Sequence, residues 1–158
     1  MARALELIGE RWTLLIVRDS LFGVRRFSDF QTHLEVSKAV LAQRLSGLID
    51  AGLLTREPQG GREEYVPTAA LEDLWPVVYA LNDWGEKRVS SPGGARREFL
   101  HVACGTLLQG AGICPTCGVA PKPREVSTRP GPGIGETVRA NTVSRALRSP
   151  RTLLEPIR

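Results

Sequence analysis

The sequence predicts a mainly α-helical fold with a small β-hairpin, arranged as a winged helix-turn-helix and followed by a small zinc-ribbon-like C-terminal lobe. Three stretches of the 158 residues support this prediction. Residues 28 to 48 have the pattern of two short helices joined by a turn, residues 53 to 68 that of a hairpin, and residues 101 to 117 contain two close pairs of metal-ligating side chains. A helix-turn-helix followed by a hairpin and another helix is the element order of a winged helix.

Helical periodicity marks the first elements. Apolar residues recur at helical spacing from Ala4 to Leu21, and Gly9 is expected to divide that stretch into two helices. Ser28 and Gln31 have the spacing of a capping box, which predicts a short helix ending near Leu34.

The next helix is the second helix of the predicted helix-turn-helix and is called the reader helix below. Ser37 is expected to cap it, the apolar residues between Val40 and Ile49 mark its buried side, and Gly52 ends it. The hairpin that follows is predicted to turn at Pro58-Gln59-Gly60-Gly61.

One further helix is predicted from about Ala69 to Val89, capped by Thr68. Pro76 lacks the N–H that the helical ladder needs, so a kink or a new first turn is expected there. The Ser, Pro and Gly residues from Ser90 to Gly94 predict a boundary.

The N-terminal half of the reader helix is expected to enter a DNA major groove. Gln43 and Arg44 are of the types that contact adenine and guanine through two hydrogen bonds, whereas Lys38 suits a phosphate. The predicted exposed face comprises Ser37, Lys38, Ala39, Ala42, Gln43 and Arg44. The alternative is that these polar side chains serve only solubility, which is the commoner role of such residues on a helix surface.

Arginines outside the reader helix are expected to add backbone contacts. Arg25 and Arg26 could clamp the DNA backbone, and Arg62 at the hairpin tip could reach a minor groove. Three acidic residues near the wing argue mildly against tight phosphate contact there: Glu57, Glu63 and Glu64.

Several motifs together resemble one known family. They are LELIGERWTLLIVRDSLFGVRRFSDFQ, VLAQRLSGLIDAGLLTRE, REEYVPT and LWPVVYALNDWG, spread over roughly residues 3 to 88. This combination resembles the HxlR-type winged helix-turn-helix transcriptional regulators.

The resemblance implies a homodimer that binds a pseudo-palindromic operator on double-stranded DNA, with the first and last helices forming the dimer interface. Candidates for that interface are Trp12, Trp75, Val78 and Trp84, although large apolar residues at helical spacing are more often core. Some relatives sense oxidants through a cysteine before the first helix. This sequence has no cysteine before Cys104, so sensing of that kind is not expected.

A metal site is predicted in the extension beyond the family pattern. His101 and Cys104 form one close pair, and Cys114 and Cys117 form the other. Tetrahedral zinc prefers four such ligands, so a structural zinc ion is predicted. A Cys-x-x-Cys redox pair and space-filling cysteines are the alternatives, and His101 is the least certain ligand.

The predicted domains are residues 1–92, a DNA-binding and dimerisation domain; residues 93–126, a zinc-binding lobe; and residues 127–158, a Pro/Gly linker and basic tail. The first 92 residues carry a net charge of −2 and the remaining 66 carry +6. The segment from Ser127 to Gly133 is interpreted as a linker, followed by a short helix between Glu136 and Leu147 and a flexible basic end. The arginines of that end would attract DNA nonspecifically.

Composition and motifs narrow the function. Neither a membrane span nor a secretion signal is visible, so a soluble cytoplasmic protein is expected. No enzyme motif is present, so an enzyme is not expected. The leading prediction is a dimeric DNA-binding transcriptional regulator of the HxlR type that acts as a repressor. The main alternative is a protein-interaction adaptor that uses the zinc lobe for docking, and a metal-dependent hydrolase is a distant third. A small-molecule effector between the dimer helices and the extension stays open, because no residue set identifies one.

Overall fold

The computed structural model describes residues 1–89, 93–136 and 139–158. Its N-terminal part contains four helices before the first strand: α1 (Ala2–Ile8), α2 (Arg11–Leu21), α3 (Phe27–Leu34) and α4 (Lys38–Asp50). The predicted break at Gly9 is confirmed. The predicted capping box at Ser28 is wrong, because α3 begins one residue earlier, at Phe27, and no side chain caps it.

The hairpin and the next helices complete a winged helix. Strands β1 (Leu54–Gln59) and β2 (Arg62–Pro67) are antiparallel, and Gln59 pairs with Arg62 across the two-residue loop Gly60-Gly61. Two helices follow, α5 (Ala69–Glu72) and α6 (Trp75–Val89). The single helix predicted from Ala69 to Val89 is therefore divided into two. Pro76 lies in the first turn of α6, which confirms the expectation of a new first turn at this proline.

The remaining residues form a second small sheet. Strands β3 (Arg97–His101), β4 (Val126–Pro130) and β5 (Arg151–Thr152) are antiparallel in the order β3-β4-β5, and helix α7 (Thr142–Ala146) lies between the last two strands in the chain. The sheet packs on the winged helix through Phe99. The centroid of its ring lies 6.2 Å from that of Phe22, 5.2 Å from that of Trp75 and 5.7 Å from that of Tyr79.

The interpretation of the tail as linker and flexible end is wrong. The expected linker overlaps β4, whose backbone pairs with strands on both sides. The expected flexible end is packed against the winged helix: Leu154 N donates to Leu21 O at 2.7 Å, and Ile157 N donates to Gly23 O at 2.8 Å. Sequence periodicity could not show this, because the short strands find their apolar partners on distant elements.

The predicted helix between Glu136 and Leu147 is shorter in the structure, where α7 spans Thr142–Ala146. The predicted boundary from Ser90 to Gly94 lies partly outside the described residues, and the three-domain division stays a prediction. Within the described part of the chain, no helix has the length and apolar character needed to cross a bilayer.

Candidate nucleic-acid interface and metal centre

The N-terminal half of α4 presents an exposed face, as the sequence predicts. Ser37 Oγ accepts a hydrogen bond from Val40 N at 3.3 Å, which confirms the predicted cap and fixes where the helix begins. Lys38 and Gln43 are exposed, and so are the small residues Ala39 and Ala42 between them. Small side chains let a helix approach base edges closely, so this surface is suited to a groove.

Arg44 lies at the edge of that face. Its side chain is 29% exposed, and its Nη2 lies 3.5 Å from Glu10 Oε2. This distance is long for a hydrogen bond, and an ion pair this exposed contributes little to stability. Arg44 can therefore leave Glu10 for another acceptor at small cost.

Arg25 is not available to clamp DNA, and this prediction is corrected. Its side chain is buried, with the residue only 5% exposed. The guanidinium donates to Ser20 O at 2.8 Å, Val24 O at 3.0 Å and Leu154 O at 2.8 Å. Burial lowers its pKa to about 10, and the negative charge of Glu64 opposes part of that shift. Arg25 joins the chain's last residues to the end of α2, and no sequence pattern distinguishes such a role from a surface arginine.

Arg26 and Arg62 remain accessible. Arg26 is half-buried, with its Nε 3.6 Å from Glu64 Oε1. Arg62 is exposed at the start of β2, directly beyond the hairpin loop. Both side chains lie on the wing side of the molecule, where a cation could meet a DNA phosphate.

Ser46 extends the exposed face of α4, although the sequence analysis did not include it in that face. It is exposed and follows Gln43 by three residues on the same helix, so the two side chains share one face. Extending the helical spacing beyond Arg44 would have found it.

The four predicted metal ligands come together in one cluster. One potential ligand atom from each of His101, Cys104, Cys114 and Cys117 lies within 4.8 Å of the others. Cys104 Sγ lies 3.6 Å from His101 Nδ1 and 3.4 Å from Cys114 Sγ. All three cysteines are free thiols.

Two matching turns build this cluster. Gly105 N donates to His101 O at 2.8 Å, and Gly118 N donates to Cys114 O at the same distance. Both glycines have a φ of +68°, a left-handed conformation that disfavours other residues. Each turn thereby directs its two ligand side chains to the same point.

The distances suit a tetrahedral ion. With metal–sulfur bonds of about 2.3 Å and metal–nitrogen bonds of about 2.0 to 2.1 Å, adjacent ligand atoms would lie about 3.5 to 3.8 Å apart. The observed separations of 3.6 and 3.4 Å are close to that range. The cluster can therefore hold a metal ion without rearrangement of the backbone.

Hydrogen bonds also prepare the thiols. The side chain and backbone of Thr106 lower the pKa of Cys104 to about 6, whereas hydrogen bonding with Cys104 first, and burial second, raise the pKa of Cys117 to about 11.

An apolar stripe is exposed on two helices. On α6, Val77, Leu81 and Trp84 follow each other at helical spacing, and Trp84 is 60% exposed. Leu5 and Leu7 of α1 are exposed as well. Trp75, which was a candidate for the dimer interface, is 2% exposed and belongs to the core of its own chain.

Comparison with known proteins agrees with this geometry. The family model of the HxlR-like helix-turn-helix matches residues 7–92. The uncharacterized HTH-type transcriptional regulator Rv3095 from Mycobacterium tuberculosis is 40% identical over 137 residues, which cover 85% of this chain and 87% of that protein. Mb3122 from Mycobacterium bovis, named in the same way, matches with the same identity and coverage.

Solved structures show the same fold. PA1607, a proposed transcription factor, is 39% identical to this chain, with a TM-score of 0.55. The match covers 58% of this chain and 66% of PA1607, so just under two thirds of PA1607 is matched. The oxidized form of the redox regulator HypR matches with a TM-score of 0.52 and 23% identity, over 57% of this chain and 97% of its own. At that identity, the match to HypR supports the fold alone.

Proposed function

The chain belongs to the HxlR-like helix-turn-helix family, and from that premise we propose that it binds a pseudo-palindromic operator as a homodimer and represses transcription there. Its class is a DNA-binding transcriptional regulator and not an enzyme, as the family and the named relatives are. The comparisons do not support the adaptor alternative. The exposed polar face of α4 is the observation that carries the proposal.

Base reading is assigned to α4. Gln43 is placed to pair with an adenine and Arg44, once released from Glu10, with a guanine. Ala39 and Ala42 allow close approach and can contact a thymine methyl group. Lys38 then meets a phosphate near the helix N-terminus.

The wing and the turn before α3 supply cations to the DNA backbone. Arg62 extends from the wing, and Arg26 lies at the entrance to α3. The N-terminal 92 residues carry a net negative charge, so these local cations have to attract the duplex in place of a general field.

Dimerisation is assigned to the apolar stripe. A monomer in water would expose Leu81, Trp84 and their neighbours at a cost that a second copy removes by covering them. A two-fold axis through this surface would present two copies of α4 to one face of the duplex. Half-sites about 34 Å apart would fit such a dimer. A protein with this role works in the cytoplasm, where the bacterial operator lies.

We assign zinc to the cluster of one histidine and three cysteines. A Cys3His set is typical of structural zinc, and with all four positions filled by protein the ion would order the lobe and leave no position for a reactive water. His101 and Cys114 are buried ligands, while Cys104 and Cys117 lie at the surface.

Quantitative DNA binding tests the proposal. The DNA upstream of the protein's own gene is compared with unrelated DNA at about 150 mM salt, because affinity without a stated salt concentration has no meaning. Gln43→Ala should reduce specific affinity by about 5- to 100-fold, as expected for one lost bidentate base contact. Gln109→Ala, an exposed glutamine in the C-terminal lobe, is the matched control and should change nothing. Equal affinity of the two variants, or no preference for the upstream DNA, would contradict base reading by α4.

A further inference from the structure

A strongly basic cavity of about 320 Å³ lies between the helix-turn-helix and the C-terminal lobe. Arginines and one histidine dominate its lining, and no carboxylate lines it among the described residues. The cationic lining residues are Arg18, His33, Arg96, Arg97, Arg139 and Arg148. They come from α2, α3, β3 and the residue before it, and the segments around α7, so only the folded chain brings them together.

Three carboxylates near the cavity neutralise part of this charge: Asp19, Glu35 and Glu86, which accepts from the backbone N–H of Arg96. Asp19 lies beneath the cavity, accepting from Arg18 Nε at 2.9 Å and Nη2 at 2.7 Å, with His33 Nδ1 2.7 Å away. Glu35 lies 3.3 Å from Arg139. Five arginines face these three acids, so the cavity keeps an excess of positive charge.

Arg97 is fixed in place within this excess. Its Nη2 donates to Leu147 O at 2.9 Å, and its guanidinium lies over the ring of Phe22. Burial, followed by repulsion from other arginines, lowers the pKa of Arg97 to about 10. A bound anion would relieve that repulsion.

Arg96 is the most open of the arginines. The residue is exposed, and its backbone N–H donates to Glu86 Oε2 at 3.1 Å. Its guanidinium has no hydrogen-bond or ion-pair partner among the described residues. It can therefore turn to a ligand without giving up another contact.

We propose that this cavity binds a small dianion, either a dicarboxylate or a phosphate ester. The planar guanidinium group presents paired N–H donors that match the oxygens of carboxylate and phosphate. The volume is at the lower end of the range for small-molecule sites, which suits a compact ligand. Because the walls come from both the winged helix and the lobe, such a ligand would hold the two parts together.

The same cavity is connected to the turn before the reader helix. Arg139 Nη1 donates to His33 O at 3.2 Å and lies 3.3 Å from Glu35 Oε1. Glu35 ends α3 in a left-handed conformation, with a φ of 53°, two residues before the cap of α4. A ligand that draws Arg139 inward breaks both contacts and changes the support of α4. This coupling rests on the proposed function, whereas ligand binding does not.

Calorimetric titration of the full chain without DNA tests the binding step. Succinate and glycerol 3-phosphate are the probes, with glycerol as the uncharged control, at about 150 mM salt so that weak surface attraction is screened. One of the two anions should bind saturably with one site per chain, and the better of them identifies the ligand class. Absence of saturable binding by both would overturn the proposal.

Two variants localise the site. Arg96→Gln should weaken binding at least about tenfold, the effect expected for one charge-assisted contact. Arg145→Gln removes the same charge from an exposed position of α7 outside the cavity and should stay within about twofold. Equal losses in the two variants would reduce the effect to general surface charge and overturn the proposal.

Measurements of operator affinity with and without the anion distinguish an anion-binding site from a surface that contacts DNA directly. Saturating anion should change operator affinity in the native chain and not in Arg139→Gln. If the variant responds as the native chain does, the coupling through Arg139 is wrong. If operator DNA displaces the anion competitively and Arg96→Gln weakens DNA binding itself, the arginines are phosphate contacts and the proposal fails. Loss of operator binding in every protein would instead refute the proposed function and leave the calorimetric result standing.

Discussion

The docked C-terminal segment gives the sharpest test of the structure, and Ile157→Ala is the perturbation. Ile157 is 3% exposed, and Leu153 and Leu154 beside it are buried as well. Truncating a buried isoleucine to alanine costs about 2 to 5 kcal/mol of unfolding free energy. Because the cost of such a truncation depends on how far the surroundings relax, we expect the lower part of that range, about 2 to 3 kcal/mol.

Urea denaturation of the full chain measures this loss. With a slope of about 1 to 3 kcal/mol per molar urea, the midpoint should fall by about 1 to 2 M at an unchanged slope. Glu155→Ala is the matched control: the residue lies in the same segment with an exposed side chain, so its effect should stay within about 0.5 kcal/mol. In native-state hydrogen exchange, the amides of Leu154 and Ile157 should be protected, since both donate to backbone carbonyls of the winged helix.

Equal midpoints for the two variants, with both amides exchanging as fast as those of an unfolded peptide, would refute the docking of the segment. Arg25 would then lose its acceptor at Leu154, and its burial would need another explanation.

Three further predictions concern the interior, the metal cluster and the apolar stripe. Asp19→Asn should cost about 2 to 3 kcal/mol at neutral pH, less than for a fully buried ion pair since Arg18 is a third exposed. Burial alone would raise the pKa of Asp19, but Arg18 and His33 lower it from the ordinary value of 3.8. The difference in urea midpoint should therefore be full at neutral pH, begin to fall near pH 3.8 and be lost as the pH falls through the lower folded-state pKa. Cys114→Ser should abolish binding of one zinc ion per chain, measured by elemental analysis, while Cys117→Ala at the exposed position weakens it less; full zinc content in both would contradict the assigned ligands. Leu81→Lys should convert a dimer to a monomer in light scattering, with Asp50→Ala at the exposed end of α4 as the control, and a monomeric native chain would disprove the interface.

The sequence determined the winged helix because its evidence is local. Helical spacing located α1, α2 and α4, a glycine pair located the wing loop, and Ser37 marked the start of the reader helix, all within short windows. The metal cluster was equally readable, since each pair of ligands is held by a turn of five residues. In these regions the residues that interact are neighbours along the chain.

Only the tertiary structure decided the roles of the arginines and of the last 30 residues. Arg25 and Arg26 are adjacent in sequence, yet the first is buried against Leu154 and the second is accessible, because α2 turns its end toward the C-terminal segment. The basic cavity collects cations from residue 18 to residue 148, and β4 pairs with strands at both its sides. Burial and charge accumulation depend on which distant segments meet. A single sequence gives the spacing of its residues along the chain, but it does not show which distant segments come into contact in the fold.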